Sequence, residues 1–181
     1  MKYQFYAHRY ADIILNSDYD LKKELDSILE TISYENVLNS FNTENLKRTE
    51  SGKKPMQGKQ KILNEHFRKG FISKGWEEEK KVFGGEGGND LRIDFWKRSV
   101  GVDVAFNHRS FIGGDLLRFQ AAAEVANIMK LGIYICAKKA FLKELSPKDF
   151  NSLVNFERTQ WYLESFFPVL TVPILLVGIE E

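Results

Sequence analysis

One stretch of the sequence decides the fold: Leu91-Arg92-Ile93-Asp94-Phe95-Trp96, then Lys97-Arg98-Ser99, then Val100-Gly101-Val102-Asp103-Val104-Ala105-Phe106. The two outer segments are rich in β-branched and aromatic residues, which favour strands, and the polar residues between them interrupt the apolar pattern. We therefore expect two strands that pair antiparallel through a turn at 97–99.

The segments on both sides of this hairpin extend the pattern. Strands are predicted at 78–83, 133–137 and 172–179, and the glycine-rich segment 84–90 is predicted to be a turn. Helices are predicted at 20–31, with Asp20 as its N-cap, and at 60–73, 115–130 and 150–166. Strands that pair by hairpins and then resume after a helix predict an α/β (α+β) fold, with a central mixed β-sheet flanked by helices.

The composition is that of an ordinary globular protein. The 181 residues are 43% hydrophobic and 28% charged, which predicts a single domain over 1–181. The net charge of +1 gives no field that would attract nucleic acid by bulk charge alone. No apolar run reaches the roughly 18–20 residues that span a bilayer, so no membrane partner is expected. The single cysteine, Cys136, cannot form an intramolecular disulfide and favours a reducing cytoplasm.

Charge is nevertheless distributed unevenly along the chain. Segment 45–61 contains six basic residues and one acid, and it has no helical periodicity. It is therefore predicted to be a basic loop, either solvated and mobile or acting as an arm that contacts DNA. In the second case the candidate phosphate contacts are Lys53, Lys54 and Lys59.

Two carboxylates lie in the middle of otherwise apolar strands. Asp94 is preceded by Ile93 and followed by Phe95, and Asp103 lies between Val102 and Val104. An ionised carboxylate is costly to bury unless it is paired or bound to a metal. If the two strands pair antiparallel, the side chains can converge on one face, where oxygen ligands suit Mg²⁺. The alternative is that both carboxylates lie at strand ends and point to solvent.

An ordered series of short motifs resembles the active-site region of the BglII and BstYI type II restriction endonucleases, which are PD-(D/E)xK nucleases. The motifs are Leu63-Asn64-Glu65, Lys74-Gly75-Trp76, Ile93-Asp94-Phe95, Asp103-Val104-Ala105-Phe106, Ser110-Phe111, Asn151-Ser152, Phe156-Glu157 and the strand at 172–179. They cover nearly the whole chain. The resemblance implies a restriction-endonuclease-like core that hydrolyses double-stranded DNA with Mg²⁺, and a homodimer in a prokaryotic cytoplasm alongside a cognate DNA methyltransferase.

The resemblance also assigns the candidate catalytic and metal-binding residues. Asp94 matches the first metal-binding aspartate of the family, and Asp103 matches the second acid, which is usually Glu. Glu79 matches a position where some relatives place an additional active-site residue, although Glu79 also fits a solvated acidic patch at 77–79. The third position of the motif is usually Lys, with Gln in BglII and BstYI, but here it is Ala105. A methyl group can neither orient the attacking water nor stabilise the charge that develops on the phosphate.

Three kinds of residue could compensate for Ala105. Glu79 could add a third carboxylate, so that the metal alone activates water. Asn107 lies two residues beyond Ala105, on the same face if the strand continues, and could position the water. Residues of the following helix could also reach the site, and the candidates there are Arg118, Gln120 and Glu124.

The DNA-reading residues implied by the resemblance lie in two loops. His108 falls at the base-contacting position after the catalytic strand, next to Asn107, and histidine can donate or accept at base edges. Asn151 and Ser152 match the family's recognition loop, although an N-cap for a helix over 153–165 would account for them equally.

The sequence therefore predicts a Mg²⁺-dependent type II restriction endonuclease that cuts a short palindrome. The relatives recognise palindromes with a central GATC, which makes GATC the first candidate for the core of the site. The alternative is a catalytically impaired homologue that binds its DNA site without cutting it, because Ala105 occupies the usual Lys or Gln position.

Overall fold

The computed structural model describes residues 1–83 and 91–181. The strands of the described residues are β1 (Lys2–His8), β2 (Glu77–Lys81), β3 (Arg92–Lys97), β4 (Val100–Val104), β5 (Leu131–Ala137) and β6 (Ile174–Glu180). They form one sheet in the order β1-β6-β5-β4-β3-β2. The central strands β4, β5 and β6 are parallel, and the remaining pairs are antiparallel. The predicted mixed sheet is confirmed.

Helices cover both faces of this sheet. They are α1 (Ala11–Asn16), α2 (Tyr19–Thr31), α3 (Tyr34–Glu50), α4 (Gln60–Ser73), α5 (Ile112–Gln120), α6 (Lys139–Leu145) and α7 (Phe156–Ser165). The α1–α4 region and α6 enclose one hydrophobic core with sheet residues such as Val102 and Ile133. On the other face α5 and α7 enclose a second core with Tyr134 and Leu176. The predicted flanking helices are therefore confirmed, with the sheet between two apolar layers.

Glycines in the sheet let α5 and α7 pack closely against it. A Cβ on Gly132 would lie 2.7 Å from a ring carbon of Phe119 in α5, and one on Gly178 would lie 2.4 Å from a ring carbon of Phe156 in α7. Contacts this short do not occur between a real Cβ and an aromatic ring, so both helices depend on glycine at these positions. This packing determines where α5 presents its polar residues to β4.

The strands of the decisive stretch pair as predicted, although Lys97 belongs to β3, and β4 ends at Val104, so the strand does not continue to Asn107. β3 and β4 pair antiparallel, with Phe95 opposite Val102 and Lys97 opposite Val100. β2 pairs antiparallel with β3, which completes a three-stranded meander. The predicted glycine-rich turn at 84–90 lies outside the described residues.

The prediction of a loop over 45–61 is wrong for its first part. Residues up to Glu50 belong to α3, which Ser33 caps by accepting from the backbone N–H of Asn36, and only 51–59 connects α3 to α4. The helix escaped detection because Val37 is its one buried residue. A helix that is polar nearly all round has no apolar stripe from which its periodicity could be read.

Several element boundaries also differ from the predictions. The cap of α2 is Asp18 rather than Asp20, since the Asp18 carboxylate accepts from the backbone N–H of Leu21 at 3.2 Å. The helix expected at 115–130 begins at Ile112, and after Gln120 it continues as a π-helical turn, Ala121–Val125. The helix expected at 150–166 is divided into a short 3-10 turn, Phe150–Ser152, and α7.

Four elements were not predicted: β1, α1, α3 and α6. No helix among residues 1–83 and 91–181 combines the length and the apolar character needed to cross a membrane.

Candidate active site

The two strand carboxylates lie side by side between β3 and β4. The backbone N–H of Asp94 donates to Asp103 Oδ1 at 3.1 Å, and the backbone N–H of Val104 donates to Asp94 Oδ2 at 2.9 Å. The carboxylates thus accept hydrogen bonds from backbone N–H groups that, in a regular antiparallel pair, would donate to backbone carbonyls. Because each side chain is held by the other strand, the pair has a defined geometry. The predicted convergence of Asp94 and Asp103 is present, and neither side chain points freely into solvent.

Arg118 of α5 completes a polar cluster against this pair. Its Nη2 donates to Asp103 Oδ2 at 2.5 Å and to Asp115 Oδ1 at 3.0 Å. Asp115 is buried, and its other carboxylate oxygen accepts from the hydroxyl of Tyr134 at 2.8 Å. Tyr134 lies in the central strand β5 and is fully buried. The rigid sheet therefore anchors Asp115, and Asp115 orients the guanidinium.

The electrostatics of the cluster favour a further positive charge. Burial raises the pKa of Asp103 to about 7, the neighbouring Asp94 carboxylate adds to the rise, and Arg118 opposes it. Burial likewise raises the pKa of Asp94 and of Asp115 above the usual range of aspartate. Carboxylates in this situation become fully ionised when a cation binds between them.

Glu79 lies opposite Asp94 at an irregular point of the sheet. Glu78 pairs with Phe95 and Lys80 with Ile93, which places Glu79 and Asp94 across from each other. Glu79 has φ 53°, a conformation that a residue with a side chain seldom adopts. Its carboxylate is largely exposed and lies 4.0 Å from Arg92. Glu79 therefore borders the aspartate pair without being bonded to it.

Two adjoining cavities open onto the aspartate pair. One, of about 390 Å³, is lined by the acidic cluster, and the other, of about 480 Å³, extends toward β2. Both are lined by Asn64 of α4, Asp94 and Val104. The first is also lined by Ala105, Asn107 and Arg118, and the second by Glu79. Together they form a cleft, which we call the carboxylate cleft.

The donor set of the carboxylate cleft fits a hard divalent cation. Asp94 Oδ1 accepts no hydrogen bond from residues 1–83 or 91–181, while Oδ2 and the Asp103 oxygens are held in place. Mg²⁺ is commonly bound by one or two carboxylates, with the other positions filled by water and phosphate oxygens. No group of three or more His, Cys, Asp or Glu side chains is placed to hold a metal ion within the described ranges. Asp94 and Asp103 are thus the two carboxylates whose oxygens could hold such an ion, and Glu79 is not bonded to either of them.

The structure brings the two predicted DNA-reading segments together. His108 forms an isolated bridge with Leu153, and the backbone N–H of Val154 donates to the carbonyl of Asn107 at 3.0 Å. The side chains of Asn107, His108 and Asn151 are exposed, and the Ser152 hydroxyl donates to the Asp149 carbonyl at 2.8 Å. The cap of α7 is Asn155, so the alternative N-cap role for Asn151 and Ser152 is wrong.

A pocket of about 630 Å³ borders these loops at Arg109 and Asn151. It is lined by three cations, Arg109, Lys139 and Arg158, with Glu157 as its one acid and Trp161 exposed at its wall. Arg109 donates to the carbonyl of Asn151 at 3.2 Å. The charged groups of Lys139 and Arg158 form no ion pair within the described part of the chain. We call this cavity the basic pocket.

The lysines of the predicted arm are in different environments. Lys53 and Lys54 are exposed in the connection between α3 and α4. Lys59 instead precedes α4, and its ammonium donates to the carbonyl of Glu144 at 2.6 Å. Lys59 is therefore engaged with the end of α6.

Sequence reasoning missed part of the polar cluster. Asp115 begins the helix predicted at 115–130 and Tyr134 falls in the strand predicted at 133–137, and neither is among the predicted site residues. The Asp115–Arg118 spacing of three residues was an available signal, since it places both side chains on one helix face. A buried tyrosine also needs a partner for its hydroxyl.

Comparisons with known proteins identify a family and a fold for the chain. The family described as restriction endonuclease BglII/BglIII matches residues 3–179. A crystal structure of restriction endonuclease BglII complexed with a DNA 16-mer superimposes with a TM-score of 0.73 at 23% identity, covering 100% of this chain and 79% of that one. This likeness shows the fold. The search of curated proteins found no match.

Proposed function

Because the chain belongs to the restriction endonuclease BglII/BglIII family, we propose that it is a type II restriction endonuclease that hydrolyses phosphodiester bonds of double-stranded DNA with Mg²⁺. The observation that carries the proposal is the carboxylate pair, Asp94 and Asp103, held between β3 and β4 in an open cleft.

The aspartate pair would hold the ion, with Asp94 Oδ1 as the oxygen that accepts no hydrogen bond from residues 1–83 or 91–181. A bound divalent ion lowers the pKa of a water molecule and offsets negative charge on the phosphate. The chain itself orients the two carboxylates through the backbone N–H groups of Asp94 and Val104. Glu79, at the border of the cleft, is the proposed outer acidic group of the site.

The exposed loops beside the cleft would contact DNA. We assign base reading to Asn107, His108, Asn151 and Ser152, because amide, imidazole and hydroxyl groups can hydrogen-bond to base edges. The segments meet next to the cleft, so base recognition and hydrolysis can occur on one stretch of duplex.

Phosphate contacts would come from the basic pocket and from the connection between α3 and α4. The charged groups of Lys139 and Arg158 have no partner within residues 1–83 and 91–181, which suits an anionic ligand. Lys53 and Lys54 are exposed and free to reach a backbone phosphate, whereas Lys59 could do so only by leaving the Glu144 carbonyl.

A homodimer is supported by an apolar groove between α5 and the end of α7. The groove has a volume of about 280 Å³ and is lined by glycine and by aliphatic and aromatic side chains. Leu117 is 59% exposed, Phe166 46% and Val169 61%, although large apolar side chains prefer burial. We propose that a second copy covers this groove, since a two-fold dimer matches a palindromic site with one active site for each strand.

The remaining expectations complete the proposal. Residues 1–181 would act as one domain that recognises a palindrome with a GATC core, in a prokaryotic cytoplasm where a cognate methyltransferase protects the host DNA. The methyltransferase is a functional partner and need not form a stable complex.

Cleavage and binding assays separate this proposal from a homologue that binds without cutting. Supercoiled plasmids with and without GATC palindromes would be incubated with Mg²⁺ or Mn²⁺ and the wild-type protein, Asp94→Asn, or Asp12→Asn as a matched control at an exposed acid. We expect cleavage by wild type and Asp12→Asn only. A specific gel shift with no cleavage by wild type would establish the binding homologue instead, and neither shift nor cleavage would refute both.

A further inference from the structure

The third position of the motif, two residues after Asp103, is Ala105, whose side chain cannot assist hydrolysis. The Ala105 side chain is buried and ends in a methyl group, yet it lines the carboxylate cleft together with Asp94, Asp103 and Arg118. Without another cation, the negative charge that develops on a phosphate in this cleft would have no stabilising group from the protein.

Of the residues that could compensate, one cationic side chain lines the cavity that holds Ala105. Lys61 and Arg68 line only the part of the cleft that extends toward β2, where Arg68 pairs with Glu78. Gln120 bonds to Thr171 and to the backbone N–H of Val172, and Glu124 accepts from the Thr171 hydroxyl at 2.6 Å. Both therefore face the 171–172 segment. Asn107 is neutral and exposed, and Glu79 carries a negative charge. Arg118 remains.

The guanidinium of Arg118 has N–H donors that no acceptor among residues 1–83 and 91–181 uses. Nη2 serves both Asp103 and Asp115, whereas Nη1 makes no hydrogen bond to residues 1–83 or 91–181. Nε is buried and likewise has no acceptor among those residues. A guanidinium offers five N–H donors and commonly binds phosphate oxygens. Arg118 is thus anchored through Nη2, while Nη1 and Nε have no acceptor among the described residues.

We propose that Arg118, from helix α5, contacts the scissile phosphate and supplies the positive charge that Ala105 cannot. The proposal rests on the nuclease function proposed above. In hydrolysis a water oxygen bonds to phosphorus and one phosphorus–oxygen ester bond breaks. The water loses a proton and the leaving oxygen gains one, so one strand end carries a phosphate and the other a hydroxyl. Arg118 stabilises the charge that the non-bridging oxygens gain during this exchange.

The anchoring network determines where this charge lies. Tyr134 holds Asp115, and Asp115 holds Arg118 one helical turn further along α5. The cation therefore approaches the cleft from a helix rather than from the catalytic strand. Asp115 and Tyr134 act as positioning residues.

Single-turnover cleavage with saturating enzyme and Mg²⁺ tests the role of Arg118. We expect Arg118→Ala to lower the rate by about 100-fold or more, the size of effect seen when one transition-state charge contact is removed, with an unchanged gel shift in the absence of metal. The matched control is Arg98→Ala, which removes an ion pair to Asp18 outside the cleft. A single cooperative thermal unfolding transition above the assay temperature verifies that each variant is folded.

Chemical rescue distinguishes a charge contact from a structural role. Guanidinium chloride at roughly 10–50 mM, far below denaturing concentrations, should restore part of the Arg118→Ala rate, whereas KCl at equal ionic strength should not. A loss of less than about fivefold, recovery by higher Mg²⁺ alone, or no rescue by guanidinium would overturn the proposal. If wild type itself does not cut, the nuclease function is refuted and this inference with it. Cutting by wild type and Arg118→Ala at similar rates refutes only the role of Arg118.

Discussion

The cations of the basic pocket lead to a quantitative prediction about how DNA affinity depends on salt concentration. None of the three pocket cations forms an ion pair within the described residues, but Arg109 donates to the Asn151 carbonyl, whereas the charged groups of Lys139 and Arg158 make no hydrogen bond there either. Each phosphate that a cation neutralises contributes about 0.9 to the slope of log K against log salt concentration. Lys139→Ala/Arg158→Ala should therefore reduce that slope by roughly 1.8 for each subunit, or about 3.6 for a symmetric dimer on one duplex.

Fluorescence anisotropy with labelled duplexes, from about 50 to 200 mM KCl, measures this slope directly. The loss should be equal on specific and non-specific duplexes, because phosphates carry no base identity. Lys23→Ala, at an exposed lysine of α2, is the control and should leave the slope unchanged. An unchanged slope in the double variant, or weakening confined to one sequence, would refute the assignment of the pocket to phosphates.

Three further predictions concern stability and assembly. Tyr134→Phe removes the hydroxyl bonded to buried Asp115 and should cost roughly 1–3 kcal/mol in urea unfolding; no change would show that the bond is not needed. Burial lowers the pKa of His8 from 6.5, so the neutral ring stabilises the fold fully above that pH and less as the pH falls toward the folded pKa. Between about pH 7.5 and 5.5, the free energy of unfolding in urea should therefore fall less for His8→Gln than for wild type. An equal fall would show that His8 is not the source of this pH dependence. Leu117→Glu should convert a dimer to a monomer in light scattering, whereas a dimer that persists would place the interface elsewhere.

The part of the fold that could be predicted depends on contacts close in sequence. The hairpin of β3 and β4 was predicted because its turn and its apolar pattern occupy sixteen consecutive residues, 91–106. The convergence of Asp94 and Asp103 follows from that pairing alone. α3 was not predictable in this way, because its one buried residue leaves no periodic apolar stripe.

The part of the site that escaped prediction depends on packing between distant segments. Arg118 reaches Asp103 because α5 lies close to the sheet over Gly132, a contact that no local pattern reveals. The left-handed conformation of Glu79 opposite Asp94 is likewise a property of the paired strands. Sequence could supply Arg118 as one of several candidates, and only the packing of α5 distinguishes it from Gln120 and Glu124.

The near-neutral charge also has a structural explanation. Acidic groups concentrate in the carboxylate cleft, whereas Arg109, Lys139 and Arg158 concentrate in the basic pocket. A net charge of +1 therefore conceals opposite local fields. DNA binding through these surfaces would be local rather than driven by total charge.

Digestion of a bacterial genome, followed by sequencing of the cut ends, tests the central claim most directly. We predict that wild type with Mg²⁺ produces ends that share one short palindrome with a GATC core, and that Asp94→Asn, which keeps an oxygen to accept from the N–H of Val104, produces none. Uncut DNA with wild type, ends without a common sequence, or equal cutting by Asp94→Asn would contradict a site-specific nuclease built on the Asp94–Asp103 pair.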